Sequence, residues 1–267
     1  MSSSGTGAAA SMIEADGVEK RFGGPDGLLA LDRLDLRVPA GEFVSLLGPS
    51  GCGKSTFLRC VAGLEHPTRG EIRVAGRPVR EPPEDLGMAF QRDALLDWIS
   101  VLDNVLLPAD LGRHRRRDLE GRARELLRMV KLEGFADVYP TQLSGGMRQR
   151  VAICRSLLLH PRLLLMDEPF GALDALTRDQ LNLDLHRLWR GSGMTVLFVT
   201  HSITEAVFLS TRIIVLAPRP GRVVADIAVD LPEERHLSVR DEPAFIGYGR
   251  QIRQLFADMG LLEDQGA

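Results

Sequence analysis

Cysteine is scarce in this chain. Cys52, Cys60 and Cys154 are the only three in 267 residues, with no CxxC pair and no His/Cys spacing of the kind that holds zinc. A disulfide framework is excluded, and reduced thiols and a cytosolic location follow. Long apolar runs are missing too. A membrane span requires roughly 18 apolar residues, and the longest candidates, such as Arg162 to Met166 and Thr195 to Thr200, are strand-sized. If the protein serves a membrane, it does so from outside the bilayer. The opening MSSSGTGAAAS lacks a charged segment followed by an apolar core, so residues 1–11 read as a frayed tail and not as a signal peptide. An excess of one charge is also absent: formal net charge is −3. The one dense basic run, Arg113-His114-Arg115-Arg116-Arg117, is too local for a nucleic-acid surface and reads as a solvated helix face. No internal repeat is found.

What the chain does have is 44% hydrophobic and 26% charged residues, enough for one large domain or two small ones around a real core. Five short apolar runs stand out: EFVSLLG (42–48), LGMAFQ (86–91), RLLLMDE (162–168), TVLFVTH (195–201) and RIIVLAP (212–218). Continuous apolar runs of this length, alternating with helical patterns, indicate strands buried on both faces of a mostly parallel sheet. Four of them end in Gly48, Gln91, Asp167-Glu168 and His201. Ligands of open α/β sheets bind outside the carboxyl ends of the strands, so these ends are expected to converge on one crevice.

The helices follow from periodicity. Leu181, Leu185, Leu188 and Trp189 form a core-facing stripe closed by Gly191-Ser192-Gly193. Ser202 and Glu205 form a capping box that fixes His201 just ahead of a helix start. Arg117 to Lys131 is helical and charge-rich, and residues 93–160 read as a helical subdomain inserted between core strands. Residues 12–47 with Glu71 to Arg80 show β-like alternation and form a flanking antiparallel sheet. After Pro218 come the turn PRPGR, a short strand at Val223 to Val229 and a helix around Phe245 to Met259.

GPSGCGKST, Gly48 to Thr56, matches G-x-x-x-x-G-K-[ST] between a strand and a helix. Glycines 48, 51 and 53 let successive N–H groups turn toward one anion at a helix N-terminus, with Pro49, Ser50, Cys52 and Thr56 completing the cradle. Lys54 reaches the terminal phosphates of a nucleotide and Ser55 binds Mg²⁺. The first turn, Lys54 to Arg59, contains no Asp or Glu to complement the helix dipole. It expects a negative charge from outside the chain.

LLLMDEP ends a buried strand with two carboxylates. Adjacent strand residues point to opposite sides, so Asp167 and Glu168 take different parts: Asp167 the metal, Glu168 the general base for an attacking water. Gln91 and His201 suit the positioning of water and phosphate, and Gln91 joins Ser55 and Asp167 as the expected metal set. A second glycine-opened helix start lies far along the chain in LSGGMRQR. Ser144 can cap the helix, Gly145 and Gly146 permit close approach, and Met147 stands where a capping box has Glu, leaving this helix start open to a phosphate.

Together these residues resemble the nucleotide-binding subunit of ATP-binding cassette transporters over about residues 12–218. GPSGCGKST looks like the Walker A loop, Gln91 the Q-loop, LSGGMRQR the signature, LLLMDEP the Walker B strand, Gly171-Ala172-Leu173-Asp174 the D-loop and His201 the switch histidine. Phe22 sits where the family has an aromatic that stacks on adenine. Two residues depart from the commonest pattern, Met147 for Gln and Phe22 for Tyr; neither removes a phosphate ligand, and stacking needs a π-face but no hydroxyl. The resemblance implies an α/β P-loop NTPase core of the RecA-like kind, ATP and Mg²⁺, and hydrolysis coupled to transport. It also implies a second copy of the chain, whose signature faces the ATP held by the first, and it places Asp174 among the nucleotide-binding residues. Residues 219–267 form a C-terminal extension.

AFQRDALLDWISVLDNVLLP and PRPGRVVADIAVDLP are similar to importer ATPases for nitrate, sulfonates, taurine and related small anions or pyrimidine precursors, with Asp97 replacing the proline of the usual LLPW. That resemblance implies membrane permease subunits docking near Leu95, Leu96, Trp98 and Ile99, an extracytoplasmic solute-binding protein beyond them, and a peripheral position on the cytoplasmic face of the membrane. A cassette protein acting on nucleic acid or ribosomes typically has two cassettes or a coiled-coil insertion. A small-molecule kinase has no use for LSGG. Neither is favoured, and no nucleic-acid partner is expected; a separate-subunit exporter is the remaining alternative within transporters.

Overall fold

A computed structural model of the chain describes residues 11–112, 114–171 and 173–261. Residues 1–10, Arg113 of the basic run and Ala172 of the GALD segment lie outside the described residues. Two strands open the fold, β1 (Ser11–Phe22) and β2 (Leu28–Pro39), followed by β3 (Phe43–Leu47) and α1 (Lys54–Val61). Next come β4 (Arg69–Val74), β5 (Arg77–Pro78) and β6 (Leu86–Ala89), then three helices, α2 (Val101–Leu111), α3 (Arg116–Met129) and α4 (Gly145–Leu157). The chain continues with β7 (Leu163–Asp167), α5 (Ala175–Trp189), β8 (Thr195–Thr200), α6 (Ile203–Leu209) and β9 (Arg212–Leu216). It ends with β10 (Val223–Ala228) and α7 (Pro243–Asp258).

The five apolar runs are all strands of one six-stranded sheet, in the order β10-β9-β3-β8-β7-β6. Every pairing in it is parallel except β10 on β9. β3, β7 and β8 are buried at every position, which is why they lack polar alternation. Their side chains alternate between two cores. Val44, Leu46, Leu165, Leu197, Val199 and Ile214 pack on one face with Phe57 and Leu58 of α1 and with β1, β2 and β4. Phe43, Leu47, Leu164, Met166, Phe198 and Val215 pack on the other with α2 to α7. The smaller antiparallel sheet has the order β2-β1-β4-β5.

The C-terminal segment is tied to the core at α6. Arg235 is buried and donates to the carbonyls of Val207, Phe208 and Ser210, satisfying acceptors that a helix C-terminus leaves open. No helix among the described residues is long and apolar enough to cross a membrane.

Candidate active site

The carboxyl ends of four strands align as expected. Leu47 pairs with Thr200, Val199 with Asp167 and Met166 with Ala89, so the segments that follow β3, β8, β7 and β6 emerge side by side. From β3 the chain enters the loop 48–53. Gly51 (φ 76°) and Gly53 (φ 96°) occupy the left-handed region, which costs glycine nothing. Gly53 has no room for a side chain either: a Cβ would lie 2.7 Å from the Ala30 carbonyl oxygen. Gly48 and Cys52 are buried, Pro49 and Thr56 are half-buried, and Ser50 and Gly51 are exposed.

Lys54 opens α1 and is only 4% exposed. Its Nζ donates to the carbonyls of Gly48 at 2.8 Å and Pro49 at 2.9 Å, and lies 3.8 Å from Glu168 Oε1. The first turn of α1 carries no acid. Beside it, Ser55 Oγ donates to Asp167 Oδ1 at 2.7 Å. Burial pushes the Asp167 carboxyl above its ordinary range, while the Ser55 hydroxyl pulls it back.

The expectation that Asp167 and Glu168 face opposite sides is not met. β7 stops at Asp167, and Glu168 has φ 44°, a left-handed conformation that is rare for a non-glycine residue. Its N–H still donates to Val199 O at 2.9 Å, so the backbone stays pinned to β8 while the side chain turns into the same crevice. Glu168 thus lies between Lys54 and His201, whose Nδ1 is 3.1 Å from Glu168 Oε2. Strain of this kind, held by surrounding structure, accompanies functional positions.

His201 precedes α6, but the cap differs from the expected box. Ser202 Oγ accepts from the Glu205 N–H, whereas the Ser202 N–H donates to Thr200 Oγ1. Glu205 turns inward instead: it accepts from Thr200 Oγ1 at 2.6 Å and sits 3.5 Å from Arg178 Nε. This network, with Thr200 and Glu205 buried and Arg178 at its edge, braces the residue next to His201, and a box motif read without burial could not reveal it.

The remaining expected residues lie outside these hydrogen bonds. Gln91 is on an exposed bend two residues past β6. Phe22 ends β1, is 39% exposed and lies under the Lys20 ammonium at 4.9 Å. Asp174 is exposed and caps α5 by accepting from the Thr177 N–H. Ser144 caps α4 by accepting from the Met147 N–H, and the first turn of α4 carries no acid. Gly146 packs on Thr177, where a Cβ would meet Cγ2 at 2.6 Å, but a Cβ at Gly145 would meet only Arg148 Nη2, at 4.0 Å.

Among the described residues no three His, Cys, Asp or Glu side chains gather to hold a metal by themselves. The Ser55–Asp167 oxygen pair nonetheless fits a hard cation whose other ligands come from phosphate and water, since Asp167 is buried with no basic side chain paired to it among the described salt bridges.

A family model described as ABC transporter matches residues 31–171, more than half of the chain. The chain belongs to the ABC transporter family. As an ABC ATPase subunit it binds and hydrolyses ATP. The taurine import ATP-binding protein TauB of Rhizobium johnstonii is 47% identical over 231 residues, covering 85% of this chain and 88% of that protein. TauB of Burkholderia pseudomallei is 45% identical over 223 residues, 82% of this chain and 86% of that one. The ABC cassette MJ0796, solved as a dimer in a post-hydrolysis state with ADP and Pi, has a TM-score of 0.73 and 35% identity, covering 83% of this chain and 100% of that one. cbiO1 of Clostridium perfringens, at 22% identity and TM-score 0.75, covers 93% of this chain and 95% of that one and shares the fold.

ABC membership leaves one set of contacts that sequence reading missed. The segment after β6 is fastened to the signature helix α4: Arg148 pairs with Asp93 at 2.9 Å, Gln149 Nε2 donates to Phe90 O at 3.3 Å, and Arg155 donates to the carbonyls of Asp93 and Ala94 at 2.7 and 2.8 Å. Buried Asn104 holds the rest, accepting from the Leu96 N–H and donating to the carbonyls of Leu96, Ile99 and Ser100.

Proposed function

We propose that this ABC ATPase drives an importer of small anionic solutes of the taurine, sulfonate or nitrate type. It works as a pair of identical chains on the cytoplasmic face of the membrane. Two TauB relatives covering more than four-fifths of the chain support import and the substrate class. The dimeric MJ0796 cassette supports the pair.

The observation that carries the catalytic reading is the single cluster Lys54, Ser55, Asp167, Glu168 and His201. In the loop the Cys52 N–H donates to Pro49 O at 3.3 Å, and Lys54 Nζ donates to Gly48 O and Pro49 O. A phosphate entering the cradle takes over these donors, exchanging internal hydrogen bonds for charge-assisted ones. Phe22 offers its ring to the adenine. Ser55 and Asp167, with Gln91, would hold Mg²⁺, which neutralises phosphate charge when bound. Glu168 accepts the proton of the attacking water, and the Glu168–His201 contact orients that carboxylate.

Ser144, Gly145 and Gly146, like Asp174, serve the nucleotide on the other copy. Each chain already meets its own phosphates with Lys54 and the loop, yet α4 presents a second helix start with no acid in its first turn. Permease subunits dock at Leu95, Leu96, Trp98 and Ile99, and a solute-binding protein acts through them. Because Phe90, Asp93 and Ala94 are bonded to α4 through Gln149, Arg148 and Arg155 while Leu96 and Ile99 are held by Asn104 of α2, force applied at Trp98 reaches the signature through this segment. Glu168→Gln tests the base: it should keep ATP affinity and lose most turnover, and wild-type turnover would remove Glu168 from that role.

A further inference from the structure

The PRPGR turn after β9 lies outside every nucleotide motif, yet it touches the phosphate loop. Arg219 Nε donates to Gly51 O at 2.8 Å, and its Nη2 fills the space where a side chain at position 51 would be, 2.6 Å from an ideal Cβ. The turn is seated by its glycine. Gly221 donates to Ala30 O, accepts from the Asp32 N–H, and approaches the loop so closely that a Cβ would lie 2.1 Å from Cys52 O. Pro218 and Pro220 flank Arg219 and limit its backbone freedom, so less entropy is lost in holding the guanidinium on the loop.

We propose that Arg219 is a positioning residue for nucleotide binding, fixing the peptide between Gly51 and Cys52. In a trans peptide the carbonyl and the following N–H point in opposite directions. Anchoring Gly51 O outward on Arg219 therefore aims the Cys52 N–H into the cradle, where it now lies near Pro49 O. Gly51 is otherwise free to rotate this peptide, since glycine carries no steric bias. Lys54 grips the loop from inside at Gly48 and Pro49, and Arg219 grips it from outside at Gly51. The C-terminal segment thereby takes part in binding ATP.

The test uses the full chain with Mg-ATP and with ADP. A hydrogen bond from a charged donor contributes on the order of a tenfold change in affinity. Arg219→Ala should raise KM for ATP and the ADP dissociation constant about tenfold, with kcat within about twofold of wild type, because no reacting group is altered. Arg219→Lys, which keeps a charged donor, should recover most of the loss. Arg222→Ala, an exposed arginine on the same turn, should change neither. The proposal is overturned if Arg219→Ala leaves KM and ADP affinity within about twofold of wild type, if kcat falls while KM holds, or if Arg222→Ala matches its effect. Should Arg219→Ala unfold, Arg219→Gln reads the same KM-against-kcat split.

Discussion

Trp98 is 74% exposed on a segment that is otherwise held rigidly. A tryptophan buries about 150–250 Å² when fully covered, so roughly 110–180 Å² of this side chain remains available to a partner. At about 25 cal/mol per Å² that area is worth about 3–4.5 kcal/mol. Ordering costs at the interface leave on the order of 2 kcal/mol in practice, a factor of roughly 30 in affinity. Within its own chain Trp98 covers little, and an exposed substitution changes stability by about 0.5 kcal/mol or less. Trp98→Ala should therefore leave the isolated chain folded and hydrolysing ATP at the wild-type rate. Its affinity for permease subunits in nanodiscs should fall about 30-fold. Wild-type affinity for the permease, or loss of ATPase activity in the isolated chain, would show that Trp98 is not the anchor.

Two further outcomes follow from the structure. Lys54→Ala removes the buried ammonium that rests on Gly48 O and Pro49 O, so nucleotide binding itself should weaken by more than about tenfold; calorimetric titration with ATP checks this, and retained affinity would refute the role. Burial, with Arg235 and Arg190 adding to it, pushes His186 from 6.5 down to about 4. The unfolded chain takes up that proton first, so stability is fully present above about 6.5 and is lost as pH falls toward 4, by up to about 3 kcal/mol. His186→Phe should flatten the dependence of the urea midpoint on pH between 7 and 4.5, and an unchanged slope would contradict it.

Most of the fold was legible because its strands are buried on both faces. β3, β7 and β8 show continuous apolar runs, and the residues that end them mark the crevice without further information. Three features were not legible, each for a physical reason. Alternation along a strand assumes that the strand continues, so it placed Asp167 and Glu168 on opposite sides; the left-handed turn at Glu168 brings both into one site. The Ser202/Glu205 spacing fits a capping box, but the Thr200 hydroxyl is close enough to take both the Ser202 N–H and the Glu205 carboxylate. The contacts Arg148–Asp93 and Arg219–Gly51 join residues 55 and 168 positions apart, a separation at which local pattern carries no signal.

The central claim is that two chains close on ATP through the signature of one and the phosphate loop of the other. Gly145 isolates that claim, because its own chain has no use for a glycine there: φ is not positive and an ideal Cβ would meet only Arg148 Nη2, at 4.0 Å. The mass of the Glu168→Gln chain, followed by sedimentation with Mg-ATP, should rise from 29.3 kDa to twice that value. Adding Gly145→Asp should hold the mass at one chain while ATP affinity stays unchanged. A Glu168→Gln chain that stays single with ATP bound, or a Gly145→Asp double variant that still pairs, would contradict the account.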